Sequence, residues 1–206
     1  TGYTGAGTRI AVIDTGIDTD HQSFDNGAFD YALQQEANGN ENYIKSLDLL
    51  DQSKVTAVLS QLNIAQNGVS ADDLYYGSKL PFAYNYVDKN TDVTHDNDTQ
   101  SEHGSHVAGI AAANKYVPQT DGDETTYVSA LDTVKTQGVA PEAQLLVMKV
   151  FGTNGGAYDS DYMAAIEDAI VLGADSINLS LGSSYPGPSK YTAYMDADTD
   201  PVPVYQ

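Results

Sequence analysis

Two runs of this chain, Arg9-Ile10-Ala11-Val12-Ile13 and Leu145-Leu146-Val147-Met148-Lys149-Val150, are apolar at consecutive rather than alternating positions. A strand is apolar on both sides where both faces of its sheet are covered, as in a parallel sheet carrying helices on each face. After the second run come a glycine turn, Gly152 to Gly156, and a helical pattern from about Ser160 to Leu172. Met163, Ile166 and Ile170 form the expected inner face of that helix, Asp159 or Ser160 its cap, and Gly173 its stop. Ser176-Ile177-Asn178-Leu179-Ser180-Leu181 then reads as another buried strand. Strand, helix, strand is a βαβ unit, whose crossover is expected to be right-handed. The predicted fold class is α/β, with a mainly parallel sheet flanked by helices.

The rest of the chain is less regular. Residues 25–100 are rich in Asn, Asp, Gln and Tyr and read as a long irregular insertion with one surface helix. That helix spans Asp51 to Asn67, with Val55, Val58, Leu59 and Leu62 at helical spacing, Asp51 as cap and Gly68 as stop. His103 to Ala113 predicts a second, buried helix of small residues, and Asn114 to Gln137 an exposed polar excursion. Ser183 to Gln206 has no periodicity and reads as a loop cut in the middle, because an α/β domain does not stop after an interior strand. The sheet is therefore expected to be incomplete at its C-terminus. Thr1-Gly2-Tyr3 is not a translation start, so trimming is expected at the N-terminus as well.

Composition narrows the function. Nine Lys and Arg against 29 Asp and Glu give a formal net charge of -20. Nucleic-acid binding is disfavoured, because phosphate neutralisation needs a basic surface. With no cysteine, a disulfide, a thiol nucleophile and a Cys-based zinc site are excluded. No apolar run approaches the ~18 residues of a membrane span.

In a parallel α/β sheet, functional residues collect at the carboxyl ends of strands. Asp14 stands where the first run ends, before Thr15-Gly16. Taken alone it reads as readily as a turn-capping carboxylate. His103 opens His103-Gly104-Ser105-His106-Val107-Ala108-Gly109-Ile110, in the first turn of a small-residue helix. A general base for a hydroxyl needs one ring nitrogen toward the nucleophile and the other toward a carboxylate. A lone histidine is also often structural, and so is His106 three residues on.

The combination is more specific than either half. A strand ending in Asp-Thr-Gly, followed downstream by His-Gly-Ser-His-Val-Ala-Gly-Ile, resembles the subtilase family of serine proteases. Gly138-Val139-Ala140-Pro141 with Leu146 to Gly152, and Ile177 to Gly182, agree with that family in the same order. The resemblance runs in segments from Gly5 to Gly182 and is poor over 25–100. It implies that residues 1–206 are the N-terminal part of a subtilisin-like peptidase catalytic domain. In it Asp14 is the catalytic aspartate, His103 the catalytic histidine, and Ser180, Leu181, Gly182, Gly155 and Gly156 hold the substrate backbone. The long insertion and acidic style are similar to the cell-envelope branch, that of lactocepin and C5a peptidase. This implies a bacterial protein, secreted or associated with the cell envelope.

The sequence departs from the family in one respect. No Gly-Thr-Ser-Met-Ala-type segment supplies the serine; Ser105, Ser180, Ser183 and Ser184 lack that setting, and Asn178 is not the oxyanion asparagine. The chain alone is therefore expected to be inactive, with a companion or downstream segment of the same protease supplying serine and asparagine. The partners expected are a polypeptide substrate and that segment; a catalytically inactive binding fragment is the alternative.

No cofactor is required on this reading. A metalloenzyme using His103, His106 and Asp14 lacks the His-Glu-x-x-His pattern. Calcium is possible as a structural ion without a located site, since Asp196/Asp198/Asp200, Asp92/Asp96/Asp98 and Asp121/Asp123/Glu124 all read more simply as solvated loops.

Overall fold

The computed structural model describes residues 2–182. The chain begins with β1 (Arg9–Asp14) and continues through α1 (Asn26–Ala37), α2 (Glu41–Ser46), α3 (Gln52–Val58) and α4 (Ala71–Leu74). Next come β2 (Phe82–Asn85) and α5 (His103–Ala112), then a hairpin of β3 (Tyr116–Asp121) and β4 (Glu124–Ser129). The last elements are α6 (Ala130–Thr133), β5 (Gln144–Lys149), α7 (Asp159–Val171) and β6 (Ser176–Asn178). The main sheet has the order β2-β5-β1-β6, and all three pairings are parallel.

The consecutive apolar runs are explained by two cores, one on each face of the sheet. Ala11, Ile13, Phe82, Tyr84, Leu146 and Met148 pack on one side, with α3, α4 and the inner residues of α7. Their alternating neighbours Val12, Ala83, Leu145 and Val147 pack on the other, with Ala108 and Ala112 of α5. Successive strand side chains point to opposite faces, so a sheet covered twice demands an apolar residue at every position. The same alternation sends Asp14 and Lys149, partners in register at the ends of β1 and β5, toward the α5 face.

Several sequence expectations are corrected. Residues 25–100 are not an irregular insertion: they contain four helices and β2, a strand of the main sheet. Asp51 does cap α3, accepting from the Lys54 N–H at 2.9 Å, and Gly68 ends the stretch at φ +74°. Between them the single helix expected is broken. Leu62 is extended, and separate 3-10 turns at Leu59–Gln61 and Asn63–Asn67 let both Leu62 and Ile64 reach the core. The excursion after Asn114 is a hairpin, exposed toward its tip but rooted by buried Val117 and Ala130.

In α7 neither Asp159 nor Ser160 caps; Tyr158 is the N-cap, without a side-chain bond. Met163 and Ile170 are 58% and 66% exposed rather than internal. The inner face is instead Ala165, Asp168 and Ala169, with Ile166 partly buried. Small residues let the helix lie close to the sheet, and Asp168 is satisfied by the Asn63 N–H at 2.6 Å and the Tyr86 hydroxyl at 3.0 Å. The last strand is three residues, not six, and its first residue is exposed, because β6 has β1 on one side only among the described residues. Ser183 to Gln206, including Asp196, Asp198 and Asp200, lie outside the described residues.

Candidate catalytic site

Asp14 is the last residue of β1 and only 1% exposed. Its Oδ1 accepts from the Thr15 N–H at 2.7 Å and from His103 Nδ1 at 2.8 Å. Oδ2 is buried with no protein partner among the described residues. A carboxylate only accepts, so the bond fixes the proton on Nδ1 and leaves Nε2 as the nitrogen with a free lone pair. The His103 side chain is 47% exposed. A buried carboxylate behind a half-exposed, tautomer-fixed imidazole is the arrangement a general base requires.

The neighbouring residues enforce that contact. Glu102, the N-cap of α5, makes no capping bond. Instead Thr15 Oγ1 accepts from the Gly104 N–H at 2.9 Å, satisfying one of the helix's orphan donors from another element. The same hydroxyl donates to the Ser101 carbonyl at 2.9 Å. The approach demands glycine at 104, and the backbone it approaches demands glycine at 16 for a separate reason. A Cβ on Gly104 would lie 2.1 Å from the Gly16 carbonyl oxygen, and one on Gly16, at φ +109°, would lie 2.3 Å from that of Val93.

Beneath this contact lies a feature the sequence reading missed. Lys149 Nζ bonds the Asp98 carboxylate at 2.6 Å and also donates to the Thr15 carbonyl. The signal was present: one lysine in a run otherwise apolar on both faces must find an acceptor when buried. Beyond it, His95 Nε2 is 3.1 Å from Ser105 Oγ, whose oxygen accepts from the Asp18 N–H at 2.8 Å. Burial, and then the Lys149 cation, hold His95 below its ordinary value.

The remaining expected residues follow the carboxyl ends of β5 and β6, the strands on either side of β1. Gly155 and Gly156 lie in the turn after β5, closed by the Gly152 N–H to the Gly156 carbonyl at 2.7 Å. Gln100 Nε2 ties that turn to the loop before α5 by bonding the Gly152 carbonyl at 2.9 Å. Ser180, Leu181 and Gly182 follow β6 on the opposite side of β1, past the paired strand. His106 lines a cleft with Asp18, His21, Glu102 and Ile110 that includes neither Asp14 nor His103. Among the described residues no group of three or more His, Asp or Glu is placed to hold a metal ion. Asp98 is engaged by Lys149, and Asp92 accepts from Thr94 within its own turn. None of the described helices is long and apolar enough to cross a membrane.

The subtilase family model matches residues 5–202. The chain belongs to the subtilase family. Among curated subtilases, a PII-type proteinase of Lacticaseibacillus paracasei is 37% identical over 88% of this chain and 8% of its own length. A C5a peptidase of Streptococcus pyogenes is 31% identical over 87% and 12%. The minor extracellular protease Vpr of Bacillus subtilis is 28% identical over 93% and 16%. The chain thus spans a small fraction of these relatives. A psychrophilic protease of known structure is matched over 91% of this chain and 41% of its own, with 24% identity and a TM-score of 0.40. The parallel sheet with helices on both faces is the α/β fold expected of a subtilase.

Proposed function

We propose that this subtilase segment contributes the base half of a serine endopeptidase. In this reading Asp14 and His103 are two members of an Asp-His-Ser triad, and a downstream or companion segment supplies the serine and the oxyanion asparagine. The observation that carries it is the bond from His103 Nδ1 to the buried Asp14 carboxylate at 2.8 Å.

His103 Nε2 takes the proton of the serine hydroxyl as its oxygen adds to the scissile carbonyl, giving a tetrahedral oxyanion. The imidazolium is stabilised by Asp14, which stays ionised, and then gives its proton to the leaving amine as the C–N bond breaks. Water, deprotonated by the same Nε2, hydrolyses the acyl-enzyme and restores the serine. Ser180, Leu181 and Gly182 on one side of β1, and Gly155 and Gly156 on the other, are assigned to the substrate backbone. Extended peptides pair with strand edges, and glycine permits close approach. The names of the relatives and the acidic surface support a secreted or cell-envelope location and a polypeptide substrate.

A fluorophosphonate probe applied to the native protein, followed by peptide mapping, tests the division of the triad. The label is expected on a serine outside residues 1–206 and is lost in His103→Ala. A label on a serine within 1–206, or one undiminished in His103→Ala, refutes the assignment. Absence of any label favours an inactive binding fragment instead.

A further inference from the structure

We infer that the buried Lys149–Asp98 ion pair is the positioning device that sets Asp14 against His103. The inference rests on the proposed catalytic roles of those two residues.

Lys149 lies beside Asp14 in register and on the same sheet face. Its side chain and that of Asp98 are 1% and 3% exposed. From this position the ammonium reaches both segments that carry the catalytic groups. One bond goes to the carbonyl of Thr15, the residue after Asp14. The other goes to Asp98, in the loop that runs directly into α5 and His103. That loop is tightened by Asp98 Oδ1 accepting from the Gln100 N–H at 2.9 Å, and Thr15 Oγ1 closes the circuit through Ser101 and Gly104. Asp14 and His103 are 89 residues apart in sequence, and Lys149 is 134 residues from Thr15. One cation therefore joins three remote stretches of chain beneath a single hydrogen bond.

A buried ion pair is not what stability alone would select, since a well-packed apolar pair of similar volume is often as stable or more so. What an apolar pair cannot do is grip two acceptors on two segments at once. An ammonium with three donors can. Misplacing a reacting group by about 1 Å costs roughly 10²-fold in rate, so such a grip has a catalytic consequence.

The test uses the active protein with two charge-neutral replacements, Lys149→Met with Asp98→Asn and Lys149→Met with Asp98→Leu. Neither leaves a buried charge unpaired, and the two differ in packing and in whether residue 98 can still accept from the Gln100 N–H, so a failure of one to fold leaves the other to decide. Asp14→Asn and His103→Ala serve as controls. The expected result is a kcat lowered roughly 10- to 100-fold with KM within about 2-fold, at a melting temperature close to the parent's. The low-field proton resonance of His103 Nδ1–H is expected to shift or vanish. A folded double variant with parental kcat and an unshifted resonance, beside an inactive His103→Ala, overturns the positioning role alone. Parental hydrolysis by His103→Ala overturns the catalytic reading on which it rests.

Discussion

Gly104→Ala, a single added methyl group, separates His103 from Asp14 without touching either. The new Cβ would stand 2.1 Å from the Gly16 carbonyl oxygen and 3.0 Å from the Gly16 nitrogen. Both are backbone atoms, so no side chain can swing aside. Gly16 is itself pinned at φ +109°, and the adjoining Ile17 N–H bonds the Val93 carbonyl at 2.8 Å. The start of α5 must therefore retreat by roughly 1 Å to restore ordinary contact, as overpacked sites do. That retreat stretches the 2.9 Å bond to Thr15 Oγ1 and the 2.8 Å bond to Asp14 together. Overpacking costs about 1–3 kcal/mol, partly offset by the better helix propensity of alanine, at most about 1 kcal/mol. The variant is thus expected to stay folded while kcat falls on the order of 10²-fold with little change in KM. Steady-state hydrolysis of a peptide substrate, with a thermal melt on the same sample, measures both. A folded Gly104→Ala protein with parental kcat would refute the claim that the Gly16–Gly104 contact sets the catalytic geometry.

Other outcomes follow from the same structure. Asp14→Asn is expected to lower kcat by about 10⁴, as the equivalent change does in a related triad through the wrong imidazole tautomer; a loss of only a few-fold in steady-state assays would contradict its role. Burial drives Lys79 down from 10.5 to about 7, although its Nζ donates to the Pro141 and Ala143 carbonyls at 3.0 and 2.7 Å. Because the folded value lies below the unfolded one, the unfolded chain binds more protons between those limits, and stability rises with pH across them. Between pH 7 and pH 9.5 the rise is on the order of 3 kcal/mol, and urea unfolding at those two pH values should show it shrinking in Lys79→Met. Asp168→Leu leaves the Asn63 N–H and the Tyr86 hydroxyl without an acceptor and should cost about 3 kcal/mol by urea denaturation.

The central strands and the meeting of Asp14 with His103 were legible because each carries a local signal of a global fact. Consecutive apolar residues at Ile10 to Ile13 and Leu145 to Met148 mean two covered faces, and Asp-Thr-Gly after such a run means a carboxylate at a strand end. Phe82 to Asn85 was illegible for the opposite reason. It is four residues long, it ends in a buried asparagine, and buried Lys79 stands just before it. Both polar groups are satisfied only by residues distant in sequence or in the following loop. Hydrophobic size is the wrong guide to the inner face of α7. Close packing on the sheet selected Ala165 and Ala169, while Met163 and Ile170 were left outside. The hold of Lys149 on Thr15 and Asp98 could have been suspected from one misplaced charge, but its partners could not be named from the sequence.

The register of β1 bears on when the site can exist. Arg9 to Asp14 are made well before their sheet partners, Gln144 to Lys149 and Ser176 to Asn178. During synthesis or refolding the N-terminal strand waits, unpaired, for chain that emerges much later. Closing loops of that length carries an entropic cost that must be met before the pairing is rewarded. The aspartate thus emerges well before the strands that fix its geometry, so molecules in which β1 is still unpaired carry both groups without the dyad. Pulse-labelled hydrogen exchange should find the β1 amides protected in step with those of β5, and after those of α5.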